Sequence, residues 1–448
     1  MALVSIEIGP ARYAFDARVA QSCTLSEYSR ICVFAVSILD PGSMANILFY
    51  PAFPDIPSFY DQLYRAIWHF SPMADRITKL VFPYSGTDLA QIDVGECLSP
   101  DTPFISDDFD PSIADIGPKF SGRVSVIETP DSYKNLSKID AILVWNTARS
   151  STVSEAQKLG QQFNAEVVLI DPTTVQQETL DAIRFAYSLW TTDELKKLVE
   201  ESYFKFERHA ARWQGKAIST FGNGPSLGQV VKEGVDLGDT VRAVCNSTIC
   251  DDEALNFLQP ELLFCGDPVQ HCGVSRYAGQ FRKDLAAALS NSDRVLFTQL
   301  GYVPYFKSVT PEDCHDRIIG IGNDRRPDFN LDLRSEFLTA ATANIFTMLV
   351  LPVACTVSTD IQVFGCDGMS FSESTKPWSH AKEDDYMGRM SVTHRVHKGF
   401  WQRNYEEEYW SYCRDLSELL NHAEQHGCNI QVRTPSFVPA LAKRFVSL

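Results

Sequence analysis

The segment AISTFGNGPSL, from Ala217 to Leu227, carries the densest chemical signal in the chain. The apolar run ending at Phe221 reads as a buried strand, and Gly222-Asn223-Gly224 supplies a turn that tolerates positive φ. Pro225 then suits the first turn of a helix, where a missing N–H costs nothing. Free N–H groups and the positive end of that helix would form an anion site fit for a phosphate. No Lys-Ser/Thr follows, so this is not a P-loop, and Leu227 stands where a dinucleotide fingerprint needs its last glycine. Later apolar runs end at Cys245-Asn246-Ser247, at Gly266-Asp267-Pro268 and at Gly365-Cys366-Asp367-Gly368. Polar residues just beyond successive parallel strands fall along one sheet edge, where open α/β folds bind ligands. Between Asp367 and the last helix lie His380, Tyr386, Arg389, His394, Arg395, His397 and Lys398. These imidazole, phenol and cationic groups suit proton transfer near neutrality and the stabilisation of a departing phosphate.

Positioning these residues requires a particular order of elements. Ala141 to Trp145 reads as a buried strand, Ser154 to Phe163 as an amphipathic helix, Ala165 to Ile170 as a strand and Gln176 to Trp190 as a helix. A polar helix from Thr192 to about Trp213 follows as a connector, after which the alternation restarts. Strands are expected at Ala217 to Phe221, Val241 to Cys245, Leu262 to Cys265, Arg294 to Thr298, Ile361 to Gly365 and Asn429 to Arg433. Glu336 to Val350 reads as a long apolar helix and Leu416 to His426 as the last helix. Earlier, Ile31 to Ile38 and Ala45 to Tyr50 look like strands. Strand–helix alternation at this spacing implies parallel pairing with crossover connections. The fold class is therefore α/β with two Rossmann-like domains, residues 1–205 and 206–448, the boundary lying between about Trp190 and Lys216.

Composition narrows the function. A chain of 448 residues exceeds the size at which one core usually stops growing. A net charge of -17 disfavours nucleic acid as a partner. The 12 cysteines include no CxxC pair and no zinc-type Cys/His spacing, the nearest cluster being Cys265, His271 and Cys272. They read as free thiols in a reducing compartment, and the protein is expected to be cytoplasmic. The most apolar run, Ala343 to Val357, contains Thr347 and Pro352 and is too short to span a bilayer, so it reads as a buried helix.

The GNGPSL turn, the strand ending in Cys245-Asn246 and the later Gly365-Cys366-Asp367 resemble bacterial sialyltransferases of the Campylobacter type, which use CMP-sialic acid. Gly222 to Leu227, Asn246-Ser247, and Gln259-Pro260-Glu261 leading into Asp267-Pro268 are also similar to a second family. Its members are the motility-associated flagellin glycosylation factors and 6-hydroxymethylpterin diphosphokinase-like proteins. Both resemblances run from about Lys216 to the C-terminus, and Asp267 stands where the sialyltransferases have an asparagine. They imply that the C-terminal domain is a sialyltransferase-like nucleotide-binding parallel sheet. Gly222, Asn223, Gly224, Ser226, Asn246, Asp267, Asp367, Thr434 and Ser436 are then expected around the nucleotide. His394 or His397 becomes the general base and Tyr386 the leaving-group donor. The implied activity is transfer of a nonulosonic acid such as sialic acid from a CMP-sugar donor to a glycan or glycoconjugate, with no metal and no other cofactor. The second branch implies instead pyrophosphoryl transfer from ATP to a pterin, with Asp267 and Asp367 holding magnesium. A non-enzymatic nucleotide-binding scaffold is the third expectation.

Overall fold

The computed structural model describes residues 42, 44–99, 106–129, 133, 136, 138–145, 150–290, 292–326, 328–369 and 382–447. The strand expected at Ile31 to Ile38 lies outside them, as do His380 and the side chain of Tyr386.

Two separate sheets organise the chain. The first contains β1 (Ala45–Tyr50), β2 (Ile77–Tyr84), β3 (Val124–Glu128), β4 (Ala141–Trp145) and β5 (Glu166–Ile170), in the order β3-β2-β1-β4-β5. The second contains β6 (Ile218–Phe221), β7 (Val241–Cys245), β8 (Leu262–Phe264), β9 (Val295–Gln299), β10 (Ile318–Asp324), β11 (Leu338–Ala340), β12 (Asp360–Phe364) and β13 (Asn429–Val432). Its order is β11-β10-β9-β8-β7-β6-β12-β13. All strand pairs are parallel. In both sheets the chain starts at a central strand, builds outward, then crosses back to the other side of that strand. Each sheet therefore has one switch point, β1/β4 in the first and β6/β12 in the second, where a crevice opens at the strand ends.

Local sequence explains where the chain changes sheets. Thr191 caps the helix Thr192–Ala210 in a reciprocal capping box with Glu194, and Arg208 and His209 in its last turn complement the negative end. Phe206 on this helix packs against Phe297 of β9 and against Phe337. The helix thus belongs to the eight-stranded sheet, and a boundary at residue 205 falls inside it. The crossing precedes Thr192.

The two sheets share one apolar core, which runs from Ala45 and Phe49 through Trp68 and Phe281 to Tyr305 and Val396. Polar groups are matched along this seam. Trp68 Nε1 donates to the Cys272 carbonyl at 2.7 Å, Tyr305 donates to the His69 carbonyl at 2.6 Å, and the Arg282 guanidinium lies 3.9 Å over the Trp68 ring. Arg282 also pairs with the buried Asp110 at 2.6 Å. Burial of so many aromatic groups makes the seam an interior rather than a loose domain contact.

One expected element is corrected. Glu336 to Val350 is not a continuous helix, because Leu338–Ala340 forms β11, paired in parallel with Gly322 to Asp324 of β10. Asn344 then accepts from the Phe346 N–H at 2.8 Å and starts a helical stretch: a π turn, Phe346–Val350, runs into an α-helix, Leu351–Val357. That stretch is buried, as expected for Ala343 to Val357. No helix among the described residues is long and apolar enough to cross a membrane, and the described cysteines are all free.

Candidate functional site

A cavity of about 440 Å³ opens at the β6/β12 switch point. Gly222, Asn223, Gly224, Asn246, Asp267 and Asp367 all line it, so six of the nine expected nucleotide contacts converge on one place. Its size falls within the ~300–1,000 Å³ of small-molecule sites.

The glycine turn is built differently from an open phosphate cradle. Gly222 N–H donates to the Phe364 carbonyl at 2.8 Å, and Gly224 N–H to the Gly365 carbonyl at 2.9 Å. The helix Pro225–Glu233 begins with its own anion in place: Asp367 accepts from the Ser226 N–H at 3.2 Å and from the Ser226 hydroxyl at 2.7 Å. A Cβ at residue 224 would overlap that carboxylate, which is why glycine stands there. The expected anion site at this helix N-terminus is therefore corrected, since Asp367 occupies it. Burial pushes the Asp367 carboxyl up, and the Ser226 hydrogen bonds work against that rise.

The remaining three expected contacts are supports. Ser226 serves Asp367, the Thr434 hydroxyl accepts from the Gly365 N–H at 2.9 Å, and the Ser436 hydroxyl donates to the Cys366 carbonyl at 2.6 Å. None of them lines the cavity. Together they hold the turn after β12 against the turn after β6.

Opposite the glycines, Asn223 donates to the Ser247 hydroxyl at 3.0 Å and ties the turn after β6 to the turn after β7. Asn246, held at φ 51°, leaves its side-chain oxygen buried with no hydrogen-bond partner among the described residues. Such orphaned groups cost free energy unless a ligand or water engages them. Asp267 accepts from the N–H groups of Val269 and Gln270 at 2.9 and 2.7 Å, and from Gln176 Nε2 at 3.1 Å. Gln176 precedes the helix Gln177–Ser188 of the five-stranded unit, so both units wall the cavity. The buried His271 steadies the turn, its Nδ1 accepting from the Asp267 N–H at 2.9 Å.

Positive charge comes from Arg184, Arg325 and Arg403. Arg403 pairs with Glu408 at 2.7 Å; burial works against its charge, yet Asp267 and Glu408 raise its pKa overall. Sequence reasoning missed Arg403, Gln299 and Asn323. Gln299 is the last residue of β9 and Asn323 the last but one of β10, and they bond to each other at 2.7 Å, so the strand-end rule that found Asn246 applies to them too. Arg403 carries no such signal.

The expected base histidines are elsewhere. His397 is buried at the seam, with Nδ1 3.1 Å from Glu178, which also binds Arg65 at 3.0 Å and Trp145 Nε1 at 2.9 Å. Glu178 is held well below the usual carboxylate range: burial opposes its charge, but Arg65 and then His397 outweigh it. His394, on the helix Glu383–Val396, packs on Phe400 and Trp401 with ring centroids 5.1 and 4.0 Å away, and burial pulls its pKa down. Neither histidine lines the cavity, because the helix Glu383–Val396 turns toward the seam rather than over the strand ends. Among the described residues, the carboxylates that line it are Asp267, Asp367 and Glu408. Neither the known protein families nor the curated proteins contain a match to this chain.

Proposed function

We propose that the chain is a glycosyltransferase that binds a CMP-activated sugar at the β6/β12 switch point and transfers the sugar to a glycan hydroxyl. The observation that carries this reading is the unpaired Asn246 side-chain oxygen on a cavity that also holds Arg325 and Arg403. A buried acceptor suits an exocyclic amino group such as that of cytosine, and guanidinium groups suit a phosphate. Transfer from such a donor passes through an oxocarbenium-like state. It needs a base for the acceptor hydroxyl and a cation for the leaving phosphate. Asp267 takes the role of base in place of a histidine, and Arg403 stabilises the departing CMP. Asp367, engaged by Ser226, keeps the two glycine turns together and leaves the chemistry to others.

Thermal-shift measurement with CMP, UDP, GDP and ATP, with and without magnesium, tests the reading. CMP alone is expected to raise the melting temperature. A shift only with ATP and magnesium would favour pyrophosphoryl transfer instead. CMP binding without sugar release from any CMP-activated nonulosonic acid would leave a nucleotide-binding scaffold.

A further inference from the structure

A second cavity, of about 780 Å³, lies at the β1/β4 switch point of the five-stranded sheet. Tyr50 closes β1 and Trp145 closes β4, and both line it, so it occupies in the first sheet the place that the nucleotide cavity occupies in the second. Pro172, Thr173 and Glu178 wall this cavity while Gln176 walls the other, so one short segment separates the two.

The chemistry of the walls selects a class of ligand. Its acids are already engaged: Asp61 and Glu178 share Arg65, at 2.8 and 3.0 Å, and Asp108 pairs with Arg395 at 2.7 Å. A cationic ligand would compete with Arg65 and Arg395 for these carboxylates, and an anionic one would have them as neighbours, with Lys398 the remaining cation of the lining. Gln62 on the helix Ile56–Phe70 lines the cavity with only 5% exposure, and its amide Nε2 has no hydrogen-bond partner among the described residues. A buried donor left unpaired calls for an acceptor oxygen. Around it stand the aromatic rings of Tyr50, Phe53, Tyr60 and Trp145. Apolar ring faces, paired carboxylates that still accept hydrogen bonds, and one unused amide donor together match a neutral polyhydroxylated ring. Hydroxyls meet the polar groups and the C–H faces meet the aromatics.

We infer that the five-stranded unit binds a neutral saccharide at its own switch point, with the Gln62 amide donating to a sugar oxygen. This does not rest on the nucleotide reading, since the residues belong to the other sheet. Saturation-transfer NMR on the full chain with lactose, maltose, cellobiose and N,N′-diacetylchitobiose tests it. At least one is expected to receive saturation. Gln62→Leu should weaken that saccharide by about tenfold or more, and Tyr60→Ala should weaken it as well. Asn246→Ala, in the other cavity, should leave it unchanged. Because Gln62→Leu removes an unpaired buried amide, its melting temperature should hold or rise, which separates lost binding from lost fold. If Gln62→Leu does not fold, the Tyr60→Ala result decides. Absence of saturation transfer to all four sugars would overturn the inference, as would undiminished transfer in the folded variants.

Discussion

Arg403 and His397 show how far a side chain's role depends on what surrounds it. Arg403 faces the β6/β12 cavity beside Asp267 and Glu408, where the proposed transfer would need a cation for its leaving phosphate. Arg403→Gln is accordingly expected to lower kcat by roughly 10²–10³-fold with little change in melting temperature. Steady-state kinetics with a CMP-sugar checks this, and wild-type kcat in the variant would remove Arg403 from the chemistry. His397 is expected to behave in the opposite way. Its imidazole bonds to the buried Glu178, so His397→Ala should leave turnover near wild type while costing about 1–3 kcal/mol of stability. Chemical denaturation alongside turnover separates the two outcomes, and a large loss of kcat without destabilisation would restore the histidine as base.

At the scale of elements, the two glycine turns act as one device. Gly222 N–H bonds across to Phe364 and Gly224 N–H to Gly365, while Asp367 from the second turn caps the helix that follows the first. Gly224→Ala drives a methyl group into that carboxylate. It is expected to lower the melting temperature and CMP affinity together, and unchanged values for both would show that the turns are not coupled. This pairing also shows what the sequence made legible. β1, β4 and β7 were expected at the residues where they lie, because short apolar runs bounded by polar turns leave little choice of register. The convergence of Gly222, Asn246, Asp267 and Asp367 was legible for the same reason, since strand ends share one edge of a parallel sheet. The partner of a free N–H was not legible: whether a phosphate or Asp367 meets the Ser226 amide depends on how β12 returns beside β6. β2, β3 and β10 were also missed, and β11 was read as helix because the Ala-rich run from Thr339 to Ala343 has helical propensity that pairing with β10 overrides. The direction taken by the helix Glu383–Val396 is set by tertiary packing, so the sequence did not show that His394 and His397 lie away from this cavity.

For the whole molecule, the continuous core between the sheets makes acid a shared weakness. His69 and His271 are both fully buried, and burial drops their pKa to about 3 and about 4, from an ordinary 6.5. Glu178 pulls His69 upward and Asp267 does the same for His271, without offsetting burial. Below about 6.5 the unfolded chain takes up protons that the folded chain refuses, so stability falls as pH drops toward about 4. Each histidine contributes a loss of ~1.4 kcal/mol per pH unit within its window. Melting temperatures from neutral pH down to that limit should decline steadily, and His69→Phe should make the decline shallower; a flat profile would contradict this. The central claim, however, concerns the cavity that both sheets wall. Isothermal titration calorimetry of CMP against the full chain tests it most directly. The account predicts one CMP per chain, with Asn246→Ala weakening binding by about 1–2 kcal/mol. Absence of CMP binding, or equal affinity in Asn246→Ala, would contradict it.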